Sequence, residues 1–123
     1  MASEPVAVEK SELVAALCAV VGNEGVLHQP EELLVYECDA YTLEKHPPDA
    51  VVLPRSTEQV SRIVKVCAAR NVPIIPRGAG TSLSGSLLAV TGGVVISLTQ
   101  MNHMLSINFR NQRALVEASY INA

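Results

Sequence analysis

Ala50-Val-Val-Leu-Pro-Arg-Ser56-Thr-Glu-Gln59-Val60-Ser-Arg-Ile63-Val64-Lys-Val-Cys67, followed closely by Val72-Pro-Ile-Ile-Pro-Arg77, decides the fold. The β-branched run from Ala50 to Leu53 reads as a strand, and Pro54 ends it. Ser56 then opens a helix, because Ser56 and Gln59 stand at capping-box spacing and Glu58 lies in the first turn, where the helix dipole favours an anion. Val60, Ile63, Val64 and Cys67 recur at i, i+3, i+4 and i+7, one apolar stripe, with Glu58, Arg62, Lys65 and Arg70 opposite. Asn71 suits the helix end, and Val72 to Pro76 reads as a second strand. Pro73 inside it is tolerable only at the first residues of a strand or on a sheet edge. Strand, helix and strand make a βαβ unit, whose strands should be parallel and whose crossover should be right-handed.

Working outward, Gly93 to Leu98 reads as a third strand and Ala114 to Ala118 as a fourth, with Asn108 to Gln112 as the turn between them. Upstream, residues 1–9 read as a frayed start. Leu13, Leu17, Val20 and Val21 predict a helix over Ser11 to Val21, capped by Ser11 and stopped by Gly22. Residues 23–49 read as irregular, apart from a helical turn over Glu31 to Tyr36. The fold class is therefore α/β, a small parallel-containing sheet with one βαβ unit. A boundary is expected between an N-terminal helical segment, 1–46, and the sheet-forming part, 47–123.

Composition agrees. Of 123 residues, 49% are apolar and 17% charged, enough to bury a core and too apolar for a disordered chain. Aromatics are 3% and tryptophan is absent, so aliphatic side chains must build the interior. A net charge of −3 and a pI near 5.5 argue against nucleic-acid binding, which calls for a basic face. The longest apolar run, Leu13 to Val21, is far short of the roughly 20 residues that span a bilayer. Acidic Glu4, Glu9 and Glu12 before it do not suit a signal peptide. Cys18, Cys38 and Cys67 are odd in number and form no Cys-x-x-Cys pair, so they read as reduced, buried, small apolar residues of a cytoplasmic protein. His28, His46 and His103 show no metal-ligand spacing, and no metal site is expected.

The chemistry is expected at Arg77-Gly78-Ala79-Gly80-Thr81-Ser82-Leu83-Ser84-Gly85, which follows the second strand. Ligands collect at the carboxyl ends of parallel strands. Glycines there leave no Cβ in a ligand's path, and successive amide N–H groups can converge on an anion as a nest. Thr81, Ser82 and Ser84 add hydroxyl donors, and Arg77 adds a guanidinium suited to phosphate oxygens. A Walker A loop is excluded because no Gly-Lys-Ser/Thr occurs. The dinucleotide fingerprint fails at its third glycine, where Leu83 stands, and no acidic residue follows about 20 positions later. Two readings stay open from the residues alone: a loop that wraps a diphosphate without a helix N-terminus, and a surface turn that uses Gly and Ser for conformational freedom.

The segments Ala50 to Val60, Val72 to Gly85 and Gly92-Gly-Val-Val-Ile-Ser-Leu98, in that order, resemble the FAD-linked oxidase superfamily of vanillyl-alcohol oxidase and p-cresol methylhydroxylase. Within it, the likeness is to the glycolate oxidase D subunit and FAD-linked D-lactate dehydrogenases, and it extends from Leu27 to Ala118. The resemblance implies that 47–123 is the first half of a flavin domain. Its diphosphate loop would be Arg77, Gly78, Ala79, Gly80, Thr81 and Ser82 with Gly85, and Pro54 would lie near the cofactor. Covalent members carry a flavin-linking histidine where Thr81 stands, so the resemblance implies non-covalent FAD. In the family a second α/β half and a substrate cap follow; both are expected to be missing here, leaving a truncated fragment with no catalytic residue. Self-association, or a missing C-terminal portion or partner subunit, would then complete it. The alternative expectation is a non-catalytic interaction or nucleotide-binding module built on the same fold.

Overall fold

The computed structural model describes residues 7–34, 48–78 and 92–121. At its centre are three parallel strands, β2 (Ala50–Val52), β3 (Ile74–Arg77) and β4 (Val94–Ser97). The βαβ unit forms as expected, with α3 (Thr57–Ala69) between β2 and β3. Its strands are not neighbours, however: β4 inserts between them, and the sheet order is β1-β2-β4-β3. β1 (Val26–Leu27) pairs antiparallel with β2, setting Val26 opposite Val52 and Leu27 opposite Val51.

Both faces of the sheet are covered, which is why β2 and the Val94–Ile96 stretch of β4 are apolar runs rather than alternating ones. On one face Ala50, Val52, Val94 and Ile96 pack with Leu13 and Leu17 of α1 (Ala7–Val21) and with Ile63 and Cys67 of α3. On the other, Val51, Ile75 and Val95 pack with Leu33 of the short helix α2 (Pro30–Leu33). Leu17 and Ile63 are completely buried, each contributing about 1.5–3 kcal/mol of hydrophobic stabilisation. Cys67 is also fully buried; that burial pushes its thiol above the ordinary value of 9.0, against the opposing charge of Arg70. Cys18 is half-buried and both are free thiols, while Cys38 lies outside the described residues.

Several local expectations need correction. α1 starts at Ala7, not Ser11, because neither Gly nor Pro interrupts the chain from Ala7 to Val21 and Ser11 sits inside the helix rather than capping it. Gly22 does stop it, at φ +85°, with its N–H on the Cys18 carbonyl at 2.8 Å. The helical turn begins at Pro30, one residue before Glu31, and runs to Leu33, held by a capping box between Gln29 and Glu32; Val35 and Tyr36 lie outside the described residues. In α3 the Ser56 hydroxyl accepts the Gln59 N–H at 3.2 Å, while the Gln59 side chain accepts the Arg55 N–H at 2.7 Å. The reciprocal bond thus lands one residue before the cap. Val64 faces outward at 38% exposure, since α1 crosses α3 on the side of Ile63, Val66 and Cys67.

Pro73 precedes β3, and Pro76 is the proline inside it, exposed on the sheet's outer strand. The "fourth strand" is β6 (Arg113–Val116), and it does not join this sheet. It forms a hairpin with β5 (Met104–Asn108), and the Asn108–Gln112 turn joins those two strands rather than β4 and β6. The hairpin is tied to the body at its base: the Ser119 N–H reaches the Met101 carbonyl and the Met101 N–H the Leu98 carbonyl, both at 2.9 Å.

Candidate functional site

Because β2, β3 and β4 are parallel, their carboxyl ends open on one edge of the sheet. Leu53, Pro54 and Arg55 follow β2; Arg77 ends β3 and Gly78 follows; Leu98, Thr99 and Gln100 follow β4. This is the edge where α/β sheets collect ligands. The Leu98 N–H donates to the Arg77 carbonyl at 3.0 Å, so the first residue after β4 is fastened to the last of β3. Ser97 is fully buried, its hydroxyl 3.2 Å from that of Thr99.

The sequence-predicted residues divide between described and undescribed parts. Pro54 is fully buried and Arg77 half-buried at the strand ends. Gly78 is exposed, and a Cβ built on it would meet no heavy atom of the described residues within 4 Å. Its φ lies outside the left-handed range as well. Among the described residues neither packing nor backbone conformation therefore demands glycine at 78, and a bare backbone at this edge fits a group approaching from outside. Ala79, Gly80, Thr81, Ser82 and Gly85 lie outside the described residues.

Beside the end of β2 the same edge forms a cleft of about 440 Å³, bordered by Gly22 and Glu24 on one side and by Leu53, Arg55, Gln59 and Gln100 on the other. Sequence reasoning had not assigned Arg55, Gln59 or Gln100 to a site. Arg55 was the findable one, a cation directly after the strand-ending Pro54; Gln100 carries no signal, since Thr99-Gln100 reads as an ordinary turn. Away from this edge, His103 Nδ1 lies 2.7 Å from a Glu117 carboxylate oxygen. The backbone N–H and ring of His103 both bond that carboxylate and hold it below its ordinary value of 4.5. Among the described residues no group of three His, Cys, Asp or Glu side chains could hold a metal ion, and no helix is long and apolar enough to cross a membrane.

A parallel sheet whose strands end at an arginine–glycine corner is one that this chain shares with known flavoproteins. The family model for the FAD binding domain matches residues 48–123, and the chain belongs to that family. The chain is 38% identical over 110 residues to the glycolate oxidase subunit GlcD of Escherichia coli (strain K12), covering 89% of this chain and 22% of that protein. It is 42% identical over 105 residues to GlcD of Bacillus subtilis (strain 168), with 85% and 22% covered. A probable mitochondrial D-lactate dehydrogenase of Danio rerio is 36% identical over 105 residues, with 85% and 21% covered. The chain thus spans about a fifth of the curated relatives it matches. Among solved structures, an alkyldihydroxyacetonephosphate synthase superposes with a TM-score of 0.80 at 27% identity, over 89% of this chain and 24% of that one. Substrate-bound p-cresol methylhydroxylase gives 0.66 at 25%, over 84% and 21%. FAD is the cofactor of this family, and the fold is that of vanillyl-alcohol oxidase and p-cresol methylhydroxylase flavin domains.

Proposed function

We propose that this chain is the N-terminal, FAD-diphosphate-binding portion of a flavin-dependent dehydrogenase or oxidase for a D-2-hydroxy acid of the glycolate or D-lactate type. The observation that carries the reading is the bare Gly78 backbone, clear of every other described residue, on the carboxyl edge of a parallel sheet at the head of the Arg77–Ser82 sequence. Arg77 would meet phosphate oxygens, the amides of Gly78, Ala79 and Gly80 would converge on the diphosphate, and Thr81 and Ser82 would donate hydroxyls, with Gly85 closing the turn. Pro54 packs at the end of β2 on the same edge. FAD would be held non-covalently, Thr81 standing where a linking histidine would be needed. Bound flavin supplies an acceptor for the hydride of the substrate α-carbon; the residues here bind and orient it.

Residues 47–123 constitute the flavin subdomain in this reading, and 1–46 a helical segment packed on it through Leu13 and Leu17. In this reading the residues named above bind and orient the cofactor, and no turnover is expected of the 123 residues alone. Their setting is a reducing cytoplasm, supported by the free Cys18 and Cys67 thiols. The test is a titration of the chain with FAD, followed by flavin fluorescence, beside Gly78→Val. Saturable binding competed by ADP is expected for the native chain, with loss in Gly78→Val at an unchanged unfolding midpoint. No binding by the native chain, or equal binding by the variant, would remove the reading.

A further inference from the structure

Ser97 breaks the apolar pattern of β4. Val94, Val95 and Ile96 precede it, yet at the strand's carboxyl end Ser97 is fully buried, the one buried polar side chain among the described residues. Burying a hydroxyl costs free energy unless it is hydrogen-bonded, and an aliphatic side chain would fill the place without that cost. The bond Ser97 makes leads outward: its partner, at 3.2 Å, is the hydroxyl of exposed Thr99. A buried polar group that holds an exposed one departs from what packing alone would select, and such departures collect at functional edges. The register sets the pair beside the corner at Arg77 and Gly78. Ser97 is the partner of Arg77 across β4 and β3, and the Leu98 N–H donates to the Arg77 carbonyl at 3.0 Å. Alternation along the strands puts Ser97 and Arg77 on the same face as Val95 and Ile75. Thr99 therefore leaves the sheet next to the Arg77–Gly78 exit, on the edge where parallel strands collect ligands.

We propose that Thr99 is a further binding residue of this edge, donating its hydroxyl to a diphosphate oxygen, and that Ser97 is the residue that positions it. The inference rests on the FAD-diphosphate reading and adds two residues to it. Either hydroxyl of the pair can donate. With Ser97 donating to Thr99 Oγ1, the Thr99 proton is left for an acceptor outside the sheet. Ser97, Thr99 and the phosphate oxygen then form a one-way chain in which each hydroxyl donates to the next, and such chains strengthen their members. The branched Cβ of Thr99 and its bond to Ser97 together limit χ1, so little side-chain freedom is lost on binding.

Titration of the full chain with FAD, read by flavin fluorescence, and with ADP, read by calorimetry, tests this beside Thr99→Val, Thr99→Ser, Ser97→Ala and the Ser97→Ala/Thr99→Val double variant. Thr99→Val keeps the β-branched shape at an exposed position, so its unfolding midpoint should match that of the native chain. It should weaken both ligands by about tenfold or more, the loss of one hydrogen bond to a charged group. Thr99→Ser retains the hydroxyl and should bind like the native chain. Ser97→Ala should weaken binding by a smaller factor and should have no further effect once Thr99 is valine, because Ser97 acts through Thr99. Native-strength binding by Thr99→Val, or Thr99→Ser as weak as Thr99→Val, overturns the proposal and leaves the FAD reading in place. Additive losses in the double variant remove the positioning role of Ser97. A native chain that binds neither FAD nor ADP removes the FAD reading, and this inference with it.

Discussion

Gly93→Ala should be among the most damaging small substitutions in this protein, and its cost can be built up from the geometry. Gly93 has φ +111°, and a Cβ there would lie 2.6 Å from the Pro73 carbonyl oxygen and 3.1 Å from the Pro73 Cβ. Relief by movement is blocked on two sides. The Pro73 carbonyl accepts the Val94 N–H at 2.9 Å, and the Asp49 carboxylate accepts the Gly93 N–H at 2.9 Å. Backbone strain of about 1–3 kcal/mol together with the weakening of one such bond, about 1 kcal/mol, gives a loss of about 2–4 kcal/mol. With a urea slope of about 1.5 kcal/mol/M, the midpoint should fall by about 2 M. Gly22→Ala is the matched control: φ is +85° but nothing lies within 4 Å of the added Cβ, so only strain remains, about 1–2 kcal/mol. Urea unfolding of both variants, followed by far-UV circular dichroism, separates the two contributions. A Gly93→Ala midpoint no lower than that of Gly22→Ala would refute the steric reasoning.

Other substitutions and conditions have defined outcomes. Ile63→Ala, at a fully buried position, should cost about 2–4 kcal/mol, whereas Val64→Ala one residue on should stay within about 0.5 kcal/mol; urea midpoints compare the two directly. The Glu117 carboxyl is held below its ordinary 4.5 by His103, so the stability it adds is fully present above that value and is lost as pH falls through its lower folded value. Acid titration should accordingly loosen the hairpin base, read as lower protection of the Glu117 and Ser119 amides relative to the intrinsic exchange rate at each pH, and Glu117→Gln should flatten that acid response.

The sheet was legible wherever local chemistry and burial pointed the same way. β2 and β4 are short apolar runs buried on both faces, and α3 declares itself through Ser56, Gln59, Ile63 and Cys67. What sequence could not order was the sheet, because the insertion of β4 between β2 and β3 is decided by long-range pairing and by the Asp49–Gly93 contact, 44 residues apart. β1 was missed because two residues carry no periodicity; their strand character comes from Val51 and Val52 beside them. β5 was missed because a register shift between Met104 and Ser106 breaks its alternation. Val64 was misplaced because α3 alone does not reveal where α1 crosses it. At the candidate site, Arg77, Gly78 and Pro54 were legible as residue types at a strand's end, while the cleft by Arg55 and Gln100 arises only when separate segments meet.

Pro76 has a consequence for how molecules of this protein meet. In a parallel strand, alternate residues turn their peptide groups to opposite sides. The carbonyls of Pro73 and Arg77 serve β4, so the peptide groups of Ile74 and Pro76 look outward. Proline brings no hydrogen there, which denies a foreign strand one of the donors it would need to extend the row. The opposite margin, β1, offers only two residues. Growth of the main sheet by stacking molecule upon molecule is thus discouraged at both flanks.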